Sequence, residues 1–252
     1  MSFRTLPLVT LHYPHDSVDV WRDDHYNVMT IDPAVSKNLQ ITIRKRSVLT
    51  GVVVAVIMLQ VDFGKQAKDA AQTSNFVWLS NYFDTFLHFS KECHIILIER
   101  QQVTKNTKVM MIAQHLVSYF VLRLKNNPKR TLIYEVDARL KTHIFNGPKG
   151  ELVKPWAVNF SLTLLHMRKD VASLQRFNQL SRIQDACDNI CMEEAFFTLN
   201  NLPTRLQEPV YKYLNFVATA GLPPAKKKKK SEGKKGSPWG GVPMWLKKKR
   251  GS

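Results

Sequence analysis

The sequence predicts an α/β protein: a mixed five-stranded sheet flanked by helices, with a disordered basic C-terminal tail. Three observations predict it. Three strand-like runs follow one another closely, Asn27 to Ile31, Leu39 to Arg46 and Gly51 to Phe63. Helical periodicity then alternates with short apolar runs, the pattern of a sheet covered by helices. Finally, Lys, Gly and Pro crowd the last thirty or so residues, where little apolar content offsets chain entropy. With 252 residues the chain has room for one large domain or two small ones, at about 100 to 200 residues each. A hydrophobic content of 44% supports a core and excludes wholesale disorder, collagen-like and coiled-coil classes.

Residues 1–26 mix Pro, His and Asp without periodicity and read as an irregular lead-in to a domain over 27–221. In the second run Leu39, Ile41 and Ile43 alternate with Gln40, Thr42 and Arg44, which gives a strand one apolar and one polar face. The short links between the first three runs predict a meander. Phe76, Val77, Leu79, Phe83, Phe86 and Leu87 recur at helical spacing over Asn75 to Ser90, and His94 to Ile98 reads as a short buried strand. From Lys105 the i, i+3, i+4 rhythm of Val109, Ile112, Ala113, Leu116, Val117, Phe120 and Leu124 predicts a helix, ended by Asn126-Asn127-Pro128. Leu132 to Val136 is a further strand, followed by a basic loop from Arg139 to Lys154. Two helices, Val158 to Arg168 and Leu174 to Leu199, close the domain, with Pro203 and Pro209 punctuating its end. The aromatic residues Phe76, Trp78, Tyr82 and Phe83 are expected in the core or a dimer contact.

Charge divides the chain in two. The formal net charge is +17, from 37 Lys plus Arg against 20 Asp plus Glu. Residues 222–252 carry eleven basic residues against Glu232, a net +10, and leave +7 for the body. Such a balance points to a polyanionic partner, and the tail to salt-sensitive phosphate affinity or to targeting. Three cysteines, Cys93, Cys187 and Cys191, form no CxxC pair, so a disulfide framework and structural zinc are not expected. The longest apolar stretch, Val52 to Leu59, is far short of the roughly 20 residues of a membrane span. No secretory h-region is recognisable, and an intracellular setting, nucleus or cytoplasm, is expected. No HExxH, GxxxxGK[ST] or GxGxxG occurs, which argues against zinc-hydrolase, ATPase and dinucleotide chemistry.

Acidic residues end several apolar segments of this basic chain. Asp32 closes the first run and Glu99 closes His94 to Ile98. If those strands are parallel neighbours, about 4.8 Å apart, the two carboxylates share one sheet edge. Asp185 and Asp188 are three apart and so lie on one face of the last long helix. Carboxylates gathered this way suit Mg²⁺ or Mn²⁺, and two such ions hydrolyse phosphodiesters. Each acid also has a plainer reading: a turn residue before Pro33, a salt bridge beside Arg100, solvated helix positions.

Met29-Thr30-Ile31-Asp32, then Lys37-Asn38-Leu39, then Ile96-Leu97-Ile98-Glu99-Arg100-Gln101, then Asp185-Ala186-Cys187-Asp188 resemble the motifs of RuvC-like Holliday junction resolvases, above all those of large DNA viruses such as poxviruses and iridoviruses. The resemblance spans about residues 27–200. It implies an RNase H-like fold, a homodimer, and magnesium-dependent nicking of four-way DNA junctions, in a nuclear or cytoplasmic viral replication site. It implies that Asp32, Glu99, Asp185 and Asp188 are catalytic and hold two Mg²⁺ or Mn²⁺ ions per site. A catalytic lysine is also implied, with Lys141 as candidate and Lys149 or Lys154 as alternatives. Lys37, Arg100, Gln101, Arg139, Lys149 and Lys154 are the expected DNA contacts, and neither membrane nor nucleotide cofactor is expected. The chain departs from the pattern at Ala34, where the family has Gly, and at Gln184 and Asn189, which flank the last acidic pair. Two other readings stay open: an RNase H-like nuclease acting on other branched or hybrid duplexes, and a non-catalytic nucleic-acid-binding protein of this fold.

Overall fold

In the computed structural model, residues 8–13, 24–34, 39–62, 72–101, 107–200 and 208–222 are described. Lys37, Gln102 and all of the tail beyond Leu222 lie outside them. The strands are β1 (Val9–Tyr13), β2 (His25–Asp32), β3 (Leu39–Ser47), β4 (Val53–Val61), β5 (Ile95–Arg100) and β6 (Leu132–Asp137). They form one mixed sheet in the order β1-β6-β5-β2-β3-β4. β2, β3 and β4 pair antiparallel as the predicted meander, whereas β5 lies parallel to both β2 and β6. The first strand of the meander, β2, thus has β5 on its other side, and β6 lies beyond β5.

The expected five strands are corrected to six. Within the segment read as an irregular lead-in, Val9–Tyr13 adds antiparallel to the edge of β6. A lone five-residue strand whose ladder partner is more than a hundred positions away leaves no periodic signal of its own.

Helices cover both faces. On one lie α1 (Gln72–Thr85), α2 (Leu87–Glu92) and α3 (Thr107–Leu124). Met29, Ile31, Ile41, Ile43, Ile96 and Ile98 of the sheet meet Leu79, Phe83, Ile112, Leu116 and Phe120 there. The predicted α3 stripe is buried as expected, and Phe120 meets Phe83 edge-on at 5.2 Å. On the other face lie α4 (Leu140–Ile144), α5 (Val153–Arg168), α6 (Val171–Phe177), α7 (Ile183–Leu199) and α8 (Glu208–Ala220). Tyr26, Val28, Ile95 and Leu97 meet Trp156, Phe160, Ile190 and Phe197 on that side.

Four helical expectations change. The helical stretch expected over Asn75 to Ser90 is two, α1 and α2, because the chain breaks at Phe86. The basic loop Arg139 to Lys154 contains α4 and the first residues of α5. The single helix expected over Leu174 to Leu199 is two, because Asn178 to Arg182 turn between α6 and α7. Pro209 does not end the body but sits in the first turn of α8, where its missing N–H goes unused.

Trp156 of α5 ties this layer together, since its Nε1–H donates to Asn215 Oδ1 of α8 at 2.9 Å. Gly147 lies flat against its ring, and a Cβ there would stand 2.9 Å from Cζ2. The ring is wholly buried and cannot retreat. Gly147→Ala is therefore expected to destabilise the fold by about 1 to 3 kcal/mol, measured as a lower midpoint in urea with an unchanged slope.

Candidate active site

The parallel pairing of β2 with β5 sets Ile31 opposite Ile98, so Asp32 and Glu99 follow as the next pair at the carboxyl ends of adjacent strands. Alternation places both on the face that carries Tyr26, Val28, Ile95 and Leu97, the face that α7 covers. Asp185 and Asp188 descend from the first turns of α7 and are 4% and 5% exposed. Lys141 enters from α4. Asp137, ending β6, accepts from the Arg139 N–H at 2.8 Å, and the turn this makes starts the short helix that points Lys141 inward.

At the centre the Lys141 ammonium, itself 5% exposed, donates to Asp188 Oδ1 at 2.6 Å and lies 3.9 Å from Glu99 Oε2. Gln101 Nε2 donates to the other Glu99 oxygen at 3.2 Å. At the rim, Lys154 Nζ is 3.3 Å from Asp185 Oδ1 and Arg182 Nε is 3.5 Å from Asp185 Oδ2. Burial raises the Asp32 carboxyl well above the usual range, and the Glu99, Asp188 and Asp185 charges add to it while Lys141 opposes. Glu99 is raised for the same reason, burial first, with Lys141 again opposing. Burial alone would lower Lys141, but Asp188 and Glu99 outweigh it and hold the ammonium above its ordinary value.

Among the described residues, no three His, Cys, Asp or Glu side chains stand as a ready metal-ligand group. The cation between these carboxylates is Lys141. The donor chemistry nevertheless suits a hard divalent ion, being all carboxylate oxygen. Asp185 Oδ2 is buried and accepts no hydrogen bond, which leaves it an open donor. Asp32, Glu99, Asp185 and Asp188 thus fit such an ion in type, and gripping it requires the Lys141 contacts to loosen.

The structure brings together all five expected catalytic residues. The expected DNA contacts fare differently. Lys149 is exposed, and Lys154 is more than half exposed at the rim. Arg139 is exposed but clasped by Asp137, with contacts of 2.9 and 2.7 Å. Arg100 turns away from the acids toward Glu135, 3.5 Å away, and Thr10 of β1. Gln101 serves Glu99. Arg182 and Asn189 were missed by sequence reasoning. The i, i+3 spacing of Arg182 to Asp185 was the available signal for the first.

No protein-family model matches the chain, and no curated protein matches it. Solved structures resemble it: Thermus thermophilus RuvC in complex with a Holliday junction substrate (TM-score 0.44, 9% identity, 71% of this chain and 98% of that one), and the T. thermophilus RuvC structure (0.44, 10%, 70% and 97%). The yeast mitochondrial Holliday junction resolvase Ydc2 is similar at TM-score 0.47 and 16% identity, over 77% of this chain and 86% of that one.

The raised carboxyl groups have a pH signature. An acid that keeps its proton to higher pH when folded than when unfolded loses stability as pH rises past its unfolded value, about 4. Asp32→Asn is therefore expected to melt close to the native protein at pH 4 and progressively above it toward pH 8, in metal-free buffer. A gap in melting temperature that shrinks with pH would contradict the assignment.

Proposed function

We propose that the protein is a structure-selective DNA endonuclease that resolves four-way junctions by metal-dependent phosphodiester hydrolysis. One observation carries the reading: at the carboxyl edge of a parallel strand pair, buried Lys141 holds Asp188 and lies 3.9 Å from Glu99, with Asp32 on the neighbouring strand end and Asp185 one turn away on α7. So many acids gathered in a basic protein cost too much desolvation to be incidental. Asp32, Glu99, Asp185 and Asp188 would hold two Mg²⁺ or Mn²⁺ ions, which supply an activated water and neutralise the charge on the reacting phosphate. Lys141 offers its ammonium to charge developing on the phosphate. Lys149, Lys154 and Arg182 neutralise flanking phosphates, a readout of backbone and shape that suits a branched substrate. The sequence motifs support a resolvase of the type carried by large DNA viruses. A homodimer would set two sites on a two-fold axis matching that of the junction.

One observation favours a non-catalytic nucleic-acid-binding protein instead: Lys141 already occupies the centre of the acids. Nicking in Mg²⁺ separates the two readings. Four-way junctions are expected to be nicked symmetrically, ahead of linear duplex and RNA–DNA hybrid. Asp32→Asn and Glu99→Gln are each expected to lower the cleavage rate more than about a hundredfold, as for loss of one electrostatic group at a reacting centre, with junction affinity within a few-fold of native in a gel-shift titration. Full cutting by either variant refutes the site.

A further inference from the structure

The polar face of β3 does not meet solvent. Gln40, Thr42, Arg44 and Arg46 are each 0% exposed beneath α7, whose facing residues are themselves polar: Asn189, Glu193 and Glu194. Asp185, Asn189 and Glu193 recur every four positions, so one stripe of α7 runs from the acidic site into the interior. Asn189 Nδ2 donates to the carbonyls of Thr30 in β2 and Gln40 in β3 at 3.1 and 3.2 Å, and approaches Thr42 Oγ1 at 3.3 Å. One turn further on, Arg46 contacts Glu193 at 3.0 Å and both Glu194 oxygens at 2.9 and 3.0 Å. Arg44 reaches Glu193 at 3.2 Å and Asp170 at 3.3 Å, and Arg168 closes on Glu194 at 2.6 Å. Before the helix, Gln60 of β4 accepts from the N–H groups of Ser181 and Arg182 and donates to the Arg182 carbonyl.

The helix that carries Asp185 and Asp188 is thus fastened by directional contacts to β2, β3 and β4. An apolar seam would tolerate sliding, because apolar contact is non-directional, whereas these directional contacts form in one register, leaving Asn189 Oδ1, Glu193 Oε2 and the Nε atoms of Arg44 and Arg46 as unpaired polar atoms of the seam. Thr30 lies two residues before Asp32 and Asn189 one after Asp188, so the nearest fastening links the two halves of the acidic site. We infer that this buried seam, Asn189 with the Arg46–Glu193 pair, is a positioning device: it fixes the register of α7 on the sheet and so sets Asp185 and Asp188 against Asp32 and Glu99. The inference rests on the endonuclease reading for its consequence in catalysis, but not for its structural content.

Two full-length variants test it. Asn189→Leu removes the nearest fastening. Arg46→Met combined with Glu193→Leu removes one cation and one anion together, a buried-pair replacement that typically preserves or raises stability. Both are expected to fold and to keep KM for a four-way junction within about threefold, while kcat falls about a hundredfold, the scale of an ångström-level misplacement. The ¹⁵N–¹H resonance of the Lys141 ammonium, assigned by its loss in Lys141→Arg, reports register without cleavage, and it is expected to shift or vanish in both variants. An unmoved Lys141 resonance in a folded variant overturns the inference whatever happens to kcat. If Asn189→Leu fails to fold, the double variant decides. If the native protein nicks no DNA, the endonuclease reading fails alone, and the resonance still decides whether the seam sets the register.

Discussion

The structure turns on the burial of charge between α7 and the sheet. Three guanidinium groups, Arg44, Arg46 and Arg168, face three carboxylates, Glu193, Glu194 and Asp170, in a seam that water barely reaches. Taking such groups out of water costs several kcal/mol per ion, and their attraction offsets this only when geometry is close and balanced. Glu194 illustrates the balance: burial pushes its carboxyl up, but Arg168, Arg46 and Arg44 together hold it well below the usual carboxylate range. Glu193, with fewer partners, stays above it. A seam of equal and opposite charges contributes little net stability. What it supplies is specificity of placement, because most other arrangements strand a charge.

The same logic, left unbalanced, describes the acidic site. Along α7 the seam is neutral at Glu193 and Glu194, while at the other end Lys141 meets Asp188 and Glu99, with Asp32 and Asp185 close by. Burial raises the carboxyls of Asp32 and Glu99, the neighbouring acids add to it, and Lys141 offsets only part of it. The helix therefore joins a region where charge is closed to one where charge remains open. The open region lies at the carboxyl ends of β2 and β5, where the chain leaves the sheet and side chains from separate elements converge.

The sequence made the sheet legible where periodicity was strong. The alternation of Leu39, Ile41 and Ile43, the stripe on α3 and the apolar runs before Asp32 and Glu99 each specified an element and a buried face. The intervening helix permitted, without fixing, the parallel pairing of β2 with β5 that brings Asp32 beside Glu99. Edge strand β1 carried no such signal, since its place depends on pairing with β6 rather than on its own pattern. The break between α6 and α7 was hidden because Gln60 of β4, about 120 positions away, holds Ser181 and Arg182 in the turn, rather than a breaker residue within it. Most informative was the polar face of β3. Alternation alone reads Arg44 as facing water, and nothing local to β3 reveals that Glu193 and Glu194, about 150 positions away, will cover it.

If the site acts on DNA as proposed, charge on two length scales explains how an acidic site works in a basic protein. The +7 of the body and the +10 of the tail attract a polyanion from beyond contact, but that attraction is screened within about 8 to 10 Å at physiological salt. At the site itself a phosphodiester would meet carboxylates whose repulsion, in a partly buried and lower-dielectric setting, is screened far less. Long-range attraction would therefore bring a polyanion to the surface without admitting a phosphate to the acids. Admission requires positive charge inside the cluster, and Lys141, the cation at its centre among the described residues, is committed to Asp188 at 2.6 Å. Further cations must come from the rim, where Lys154 and Arg182 already bracket Asp185, or from divalent ions. The arrangement thus separates recruitment, which lysines almost anywhere on the surface can perform, from admission, which depends on where α7 sets two carboxylates relative to two strand ends.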